Sequence, residues 1–324
     1  MQRERISENV YWFQSEIYAQ VTAGAITGPQ WAVVIDTLAL PEETLAMRSF
    51  IEEQLGVPVR YVINTHYHAD HTGGNCFFPG ATIIGNELCR DLMLTKGQIA
   101  LEAARKINPI FKQIKIIAPQ ITFMDGSLSL RVGKKNLVLF PTPGHSSDGI
   151  SILVEEDRVI FAGDAFLPIP YIIDGNYDAM VNTIKKISKL GLENIIQGHG
   201  DIILRGEIDE SVKENLNYLS ALKKAVKGAA RRRNPQDALL AIDVESCGKS
   251  RVYLGGLAEE LHRRNVRWLY HQIQAEEPIE PSKEETFEEE PEEEPVEILE
   301  NIDDADEFEE PEEPDDFEDP EDEE

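Results

Sequence analysis

The sequence contains few cysteines and no long apolar run. Its 324 residues include only three cysteines, Cys76, Cys89 and Cys247, and none of them forms a Cys-x-x-Cys pair. This argues against a disulfide framework and against a cysteine-rich zinc site. No run of about 18 apolar residues is present, which excludes a membrane-spanning helix. The charged start MQRERISEN lacks the apolar stretch of a secretion signal. We therefore expect a reduced, cytoplasmic protein that does not enter a membrane.

Basic residues are almost absent from the end of the chain. From Ala275 to Glu324 there are 29 acidic residues and one basic residue, Lys283, which gives −28 of the whole chain's −29. With seven of the 18 prolines and little apolar area to bury, this segment is predicted to be a disordered acidic tail. The near-neutral remainder disfavours nucleic-acid binding. The tail could contact a basic protein partner, or serve solubility alone.

The pattern of apolar residues divides the chain into three parts. Strand-like runs such as Val57–Thr65 alternate with helical patterns such as Pro41–Leu55, which favours a layered α/β domain over residues 1–205. Beyond Gly206 the apolar spacing is wholly helical, and it predicts a helical C-terminal extension over residues 206–274. The acidic tail then occupies residues 275–324.

A histidine-rich motif follows one of the predicted strands. The segment HYHADH places His66, His68, Asp70 and His71 directly after the strand that ends at Thr65. Imidazole and carboxylate groups are ligands that suit zinc, iron or manganese. The motif therefore indicates a metal site, although a solvated histidine loop is the alternative for this segment taken alone.

Three further candidate ligands follow apolar, strand-like runs. His145 comes after LVLFPTPG, Asp164 after VIFAG and His199 after NIIQG. Strand ends in an α/β layer meet at one edge, where ligand-binding groups collect. We therefore expect these side chains to join the HYHADH motif in one site.

Together these motifs closely resemble the metallo-β-lactamase-fold hydrolase superfamily, from about Asn9 to Asp201. The resemblance implies an αββα sandwich of two mixed β-sheets, with two divalent metal ions at one sheet edge, zinc first and iron or manganese as alternatives. The matching ligand positions are His66, His68 and His145 for the first metal, Asp70, His71 and His199 for the second, and Asp164 as the bridge. Asp36 matches the early aspartate of the superfamily and is expected to fix a ligand histidine from behind.

The resemblance also implies an activity. A metal-bridging hydroxide would cleave a small ester, thioester or lactone substrate, with Asp70 as the catalytic residue that orients the nucleophile and shuttles its proton. The layout is nearest to glyoxalase II-like enzymes, but Leu167 stands where homoserine-lactone lactonases carry tyrosine. A mononuclear iron persulfide dioxygenase-like enzyme, a phosphodiester hydrolase and a non-catalytic adaptor remain open alternatives.

Two segments are expected to contribute to substrate recognition, Asn86–Lys112 and the apolar Phe166–Tyr177. The second segment could equally pack under the helical extension. Tyr171 within it is a candidate oxyanion donor or an ordinary half-buried tyrosine. His262 and His271 belong to no ligand motif and are expected to be structural or exposed.

Overall fold

The computed structural model describes residues 1–276, which belong to one compact unit. The predicted acidic tail lies almost wholly outside the described residues. Among residues 1–276, no helix combines the length and apolar character that crossing a membrane requires. The cytoplasmic location stays a prediction.

The first sheet has seven strands that neighbour one another in chain order. The first four strands pair antiparallel, and the pairs from β4 to β7 are parallel, so the sheet is mixed. The strands are β1 (Gln2–Ser7), β2 (Val10–Gln14), β3 (Thr22–Thr27), β4 (Ala32–Ile35), β5 (Val59–Ile63), β6 (Thr82–Asn86) and β7 (Ile121–Phe123).

The second sheet has six strands in the order β13-β12-β11-β10-β9-β8. It is also mixed, because β11 and β12 pair parallel while the other neighbours pair antiparallel. The strands are β8 (Leu128–Val132), β9 (Lys135–Pro141), β10 (Ile150–Val154), β11 (Val159–Gly163), β12 (Asn194–Gln197) and β13 (Ile203–Leu204).

Eight α-helices accompany the sheets in the described part of the chain. They are α1 (Pro41–Ser49), α2 (Ala69–Thr72), α3 (Glu87–Leu92), α4 (Gln98–Ile107), α5 (Tyr177–Ile187), α6 (Ile208–Ala230), α7 (Pro235–Leu240) and α8 (Ala258–Glu276). Short π-helical turns, Phe50–Gln54 and Met93–Gly97, follow α1 and α3 directly.

Alternate residues of the buried strands face opposite sides of each sheet, which produces four layers. In β4, Ile35 packs in the core between the sheets, whereas Val34 faces α1 on the outside. In β11, Phe161 faces the core between the sheets, and Ile160 faces the helices that follow the second sheet. The αββα sandwich of two mixed sheets expected from the sequence is confirmed.

The helices after residue 206 pack against the outer face of the second sheet. Leu219 and Leu222 of α6 and Leu269 of α8 share one apolar cluster with Ile160 of β11. The predicted boundaries between residues 205 and 206 and between 274 and 275 stay predictions. The structure begins α6 at Ile208 and ends α8 at Glu276.

The prediction that the chain beyond Gly206 is wholly helical is wrong in one part, and two strands have no clear signal in the sequence. Residues 241–257 are turns and a short 3₁₀ segment rather than helix, and the Asp243 carboxylate accepts a bond from Ser246 N at 2.7 Å in one of these turns. Strand β1 is unexpected, because three of the six residues in its sequence QRERIS are charged. Strand β3 forms although its small residues indicate turn material. A Cβ on Gly24 would lie 2.0 Å from the Phe161 ring, so only glycine fits there.

Candidate metal centre

The first cluster forms beyond the ends of β5, β9 and β11. His66 and His68 lie between β5 and α2, His145 follows β9, and Asp164 directly follows β11. His68 Nδ1 lies 3.0 Å from His66 Nε2 and 2.9 Å from His145 Nε2. Asp164 Oδ2 lies 3.3 Å from His145 Nε2 and 3.9 Å from His66 Nε2. Three imidazole nitrogens and one carboxylate oxygen therefore face a common centre.

The second cluster lies on the other side of the same aspartate. Asp70 and His71 belong to α2, and His199 follows β12. His199 Nε2 lies 3.2 Å from Asp70 Oδ2, and His71 Nε2 lies 3.9 Å from that oxygen. Asp164 Oδ1 lies 3.2 Å from His71 Nε2 and 3.7 Å from His199 Nε2. Each carboxylate oxygen of Asp164 thus faces a different cluster.

Every histidine of the two clusters is held at its second ring nitrogen, the one that faces away from the cluster centre. The partners are Thr65 Oγ1 for His66 at 3.1 Å, Asp174 Oδ2 for His68 at 3.2 Å, Asp36 Oδ2 for His71 at 2.9 Å, the Tyr171 carbonyl for His145 at 2.8 Å and the Ala19 carbonyl for His199 at 2.8 Å. Such bonds fix both the tautomer and the orientation of an imidazole. The inward nitrogen is Nδ1 in His68 and Nε2 in the other four.

Asp36 lies where its position in the sequence predicted, behind a ligand candidate. Its Oδ2 contacts His71 Nδ1, and its Oδ1 accepts a bond from Thr65 N at 2.8 Å. The Thr65 hydroxyl also donates to Asp36 Oδ2 at 2.7 Å. One buried carboxylate therefore links the end of β5 to α2.

The charges of the buried groups suit cation binding. Burial lowers the pKa of His66 well below its usual value and that of His145 to about 4, so both stay neutral at pH 7. Burial alone would raise the pKa of Asp164, but the surrounding histidines hold it well below its usual value. Burial lowers the pKa of His71, and three neighbouring carboxylates outweigh burial and raise it well above the usual value. The second cluster therefore favours a positive charge at its centre.

The donor atoms are arranged as a metal ion requires. Four donors placed tetrahedrally at zinc distances of about 2.0–2.2 Å would lie about 3.3–3.6 Å apart. The donors of each cluster all lie within 4.8 Å of one another. His71 Nε2 and Asp164 Oδ1 are buried 3.2 Å apart, and neither makes a well-aligned hydrogen bond among residues 1–276. Buried polar atoms left unpaired in this way are costly, and a cation between them would satisfy both.

The structure brings all seven predicted ligand candidates together in these two clusters. Their role as metal ligands stays a prediction. His262, expected to be structural or exposed, is buried and bonds to Tyr218 and to the Ile242 carbonyl, whereas His271 is exposed. The Tyr171 side chain is buried rather than half-buried, and its ring centroid lies 5.5 Å from that of His145.

Sequence reasoning missed Asp174 as a functional candidate. Its Oδ2 accepts from the Tyr67 hydroxyl and contacts His68 Nε2, while its Oδ1 accepts from Lys96 Nζ at 2.9 Å. Asp174 is the only carboxylate in the otherwise apolar segment 166–177, and this isolation was the available signal.

Comparisons with known proteins agree with this geometry. Residues 18–226 match the family profile described as the metallo-beta-lactamase superfamily. A beta-lactamase-like protein 2 homolog of Caenorhabditis elegans is 26% identical over 174 residues, 52% of each chain. An atrochrysone carboxyl ACP thioesterase of Aspergillus fumigatus is 29% identical over 168 residues, 50% of this chain and 47% of the relative. The chain thus spans about half the length of these relatives.

Solved structures share the fold. A metallo-beta-lactamase family protein from Thermus thermophilus has a TM-score of 0.59 at 19% identity, covering 80% of this chain and 93% of that one. A metallo-beta-lactamase from Pontibacter korlensis has a TM-score of 0.54 at 18% identity, covering 65% and 97%. With the superfamily profile matching more than half of the chain, and with a paired His/Asp cluster at one sheet edge, this protein belongs to the metallo-β-lactamase superfamily.

Proposed function

We propose that the protein is a hydrolase that binds two divalent metal ions, zinc in the first place, and cleaves a small ester, thioester or lactone. The observation that carries this proposal is the sharing of Asp164. Its two oxygens face two separate clusters, each with further nitrogen or oxygen donors within 4.8 Å. One carboxylate between two cations offsets their mutual repulsion, which no neighbouring group could do.

The two metal ions would be held by seven side chains. His66, His68 and His145 would hold the first ion, Asp70, His71 and His199 the second, and Asp164 both. Divalent ions in such a site activate water at neutral pH and polarise a carbonyl oxygen when bound. The protein's own contribution is to fix the donors through their outer hydrogen bonds and, by burial, to keep His66 and His145 neutral.

Asp70 is the group proposed to orient the nucleophile and accept its proton. Its side chain is 20% exposed, against 6% for Asp164, so it reaches the open side of the site. Burial would raise the pKa of Asp70, but His71 and His199 hold it below its usual value. The carboxylate is therefore ionised at neutral pH, as a group that accepts a hydrogen bond from the nucleophile must be.

A thioester with an apolar acyl part is the substrate class that we favour. One relative is named as a thioesterase of an acyl carrier protein. The segment from α3 to α4 borders the site, because Lys96 within it bonds to Asp174. This segment exposes Leu94 by 56% and Ile99 by 72%, which offers an apolar surface to an acyl chain.

The alternative of a one-iron persulfide dioxygenase is less well supported. A single ion in the first cluster would leave the ligand atoms of Asp70, His71 and His199 without a metal ion to bind. His71 Nε2, which is buried and makes no well-aligned hydrogen bond among residues 1–276, supports a cation in the second cluster as well.

Metal content and substrate range test the proposal together. Chelator-treated protein is loaded with Zn²⁺ and assayed with chromogenic thioester, ester, lactone and phosphodiester substrates. We expect two zinc ions per chain and fastest turnover of the thioester. Asp164→Ala should lose at least one ion and nearly all hydrolysis, whereas Asp178→Ala, an exposed acid in α5 that pairs with Lys223, should change neither. Hydrolysis that survives Asp164→Ala, or oxygen consumption with a persulfide and one bound iron, would refute the proposal.

A further inference from the structure

We propose that Asn265 of α8 is a positioning residue for His145, so that the C-terminal helices set the metal affinity of the first cluster. This inference rests on the proposed function, because it assumes that the first cluster binds a metal ion. It goes further in assigning a role to α8, which contributes no side chain to either cluster.

The Asn265 side chain bonds to the main chain on both sides of one residue in segment 166–177. Its Nδ2 donates to the Pro170 carbonyl at 2.7 Å, and its Oδ1 accepts from Ile172 N at 2.8 Å. The residue between them is Tyr171, whose carbonyl oxygen lies 2.8 Å from His145 Nδ1. Asn265 therefore fixes the main chain immediately before and after the group that orients His145.

The orientation of His145 decides whether its other nitrogen can serve as a ligand. With Nδ1 bonded to the Tyr171 carbonyl, His145 Nε2 points at the cluster, 2.9 Å from His68 Nδ1. A shift of the Tyr171 carbonyl would rotate the imidazole or release it. Loss of such an outer partner typically weakens metal binding about 10–100-fold.

Asn265 is itself held in place, which makes it a rigid support. It is buried, and its Nδ2 also donates to the Tyr218 hydroxyl of α6 at 3.1 Å. The Tyr218 hydroxyl lies 3.0 Å from His262 Nδ1, and His262 Nε2 lies 3.1 Å from the Ile242 carbonyl. A neutral His262 that donates from Nε2 satisfies the whole chain of bonds. The Asn265 side chain thus has little freedom to turn away from the Tyr171 segment.

Asn215 of α6 offers a matched control. It is also a buried asparagine on the C-terminal helices, and its Nδ2 donates to the Leu167 carbonyl of the same segment at 3.0 Å. The Leu167 carbonyl, unlike that of Tyr171, contacts no histidine of the clusters among the described bonds. A structural role alone predicts equal effects of the two asparagines on metal binding, whereas positioning of His145 predicts an effect of Asn265 only.

The experiment titrates chelator-treated full-length protein with Co²⁺ and follows the visible absorption bands, which report the ligands around the ion. We expect two binding steps in the wild type and in Asn215→Ala. In Asn265→Ala the affinity of one binding step should fall about tenfold. This is the lower end of the range for a group that bonds directly to a ligand histidine, because Asn265 acts on His145 through the Tyr171 carbonyl. The melting temperature should fall in both variants, since each loses a buried hydrogen bond.

Two outcomes overturn the inference while leaving the proposed function intact. One is wild-type affinity at both steps in Asn265→Ala, and the other is an equal weakening in Asn215→Ala. If Asn265→Ala does not fold, Asn265→Leu, which keeps the volume but removes the bonds to Pro170 and Ile172, decides by the same criterion. Failure of the wild type to bind any Co²⁺ would refute the proposed function as well.

Discussion

A single glycine allows the backbone after β12 to pass close to the Asp164 carboxylate. Gly198 lies between β12 and His199, and a Cβ built on it would lie 1.9 Å from Asp164 Oδ1. Its own N–H donates to the Gly163 carbonyl at 2.9 Å, which places this backbone directly beside the Asp164 carboxylate. No other residue type leaves room for Asp164 to face both clusters.

Gly198→Ala should therefore displace the bridging carboxylate. We expect loss of one or both metal ions and a destabilisation of about 1–3 kcal/mol, typical of an extra methyl group in a packed site. Metal analysis and urea denaturation measure the two effects. Gly206→Ala is the control, because a Cβ there meets nothing within 4 Å and should leave metal content unchanged. Equal metal content in both variants would contradict this account of Gly198.

Asp174→Asn should weaken the binding of a metal ion to the first cluster without unfolding the protein. The amide keeps the size of the side chain but removes the charge that faces His68 Nε2 and Lys96. We expect about 10–100-fold weaker binding of one metal ion, as for other outer partners of metal ligands. Isothermal titration with Zn²⁺ measures it. Asp157→Asn removes a carboxylate paired with Lys135 at 2.8 Å, at the opposite end of β11 from Asp164, and should bind zinc as the wild type does.

Among the helices and strands, those with a strong apolar periodicity could be predicted from the sequence, and those without it could not. The spacing of Met180, Ile184 and Ile187 is typical of one face of a helix, and all three residues are buried in α5. By contrast, β3 consists of small residues and is buried on both sides, so it shows no alternation. It acquires its strand structure from pairing with β2 and β4, which no local pattern reveals.

The helices after residue 206 should contribute to the stability of the whole α/β unit. Leu219 of α6 is fully buried in the cluster that includes strands of the second sheet. We expect Leu219→Ala to lower the free energy of unfolding by about 2–5 kcal/mol in a single transition. Leu240→Ala, at a position 71% exposed, should change it by less than about 0.5 kcal/mol. Two separate unfolding transitions in urea would show instead that the C-terminal helices fold independently.

For the whole molecule, the uneven charge is the clearest global feature. Nearly all of the formal charge of −29 belongs to residues after Ala275, and the composition there offers little apolar area for burial. Any basic partner of this tail stays a prediction, since the segment lies outside the described residues.

Deletion of residues 277–324, beyond the end of α8, should leave the body intact. We expect the melting temperature and the turnover of a small thioester to change little, because so charged a segment has little to gain from packing. Differential scanning calorimetry and steady-state kinetics measure both. A drop of several degrees, or a marked change in KM, would show that the tail contacts the body.

The sequence by itself determined which side chains could form the site. The five clustered histidines and two aspartates each follow a strand-like run or lie in HYHADH, and strand ends of an α/β layer converge at one edge. Only the tertiary structure decided what holds them. Asp174 reaches His68 across 106 positions, and Asn265 reaches Pro170 across 95. Local patterns record the faces of strands and helices, whereas these outer bonds depend on how distant elements pack against each other.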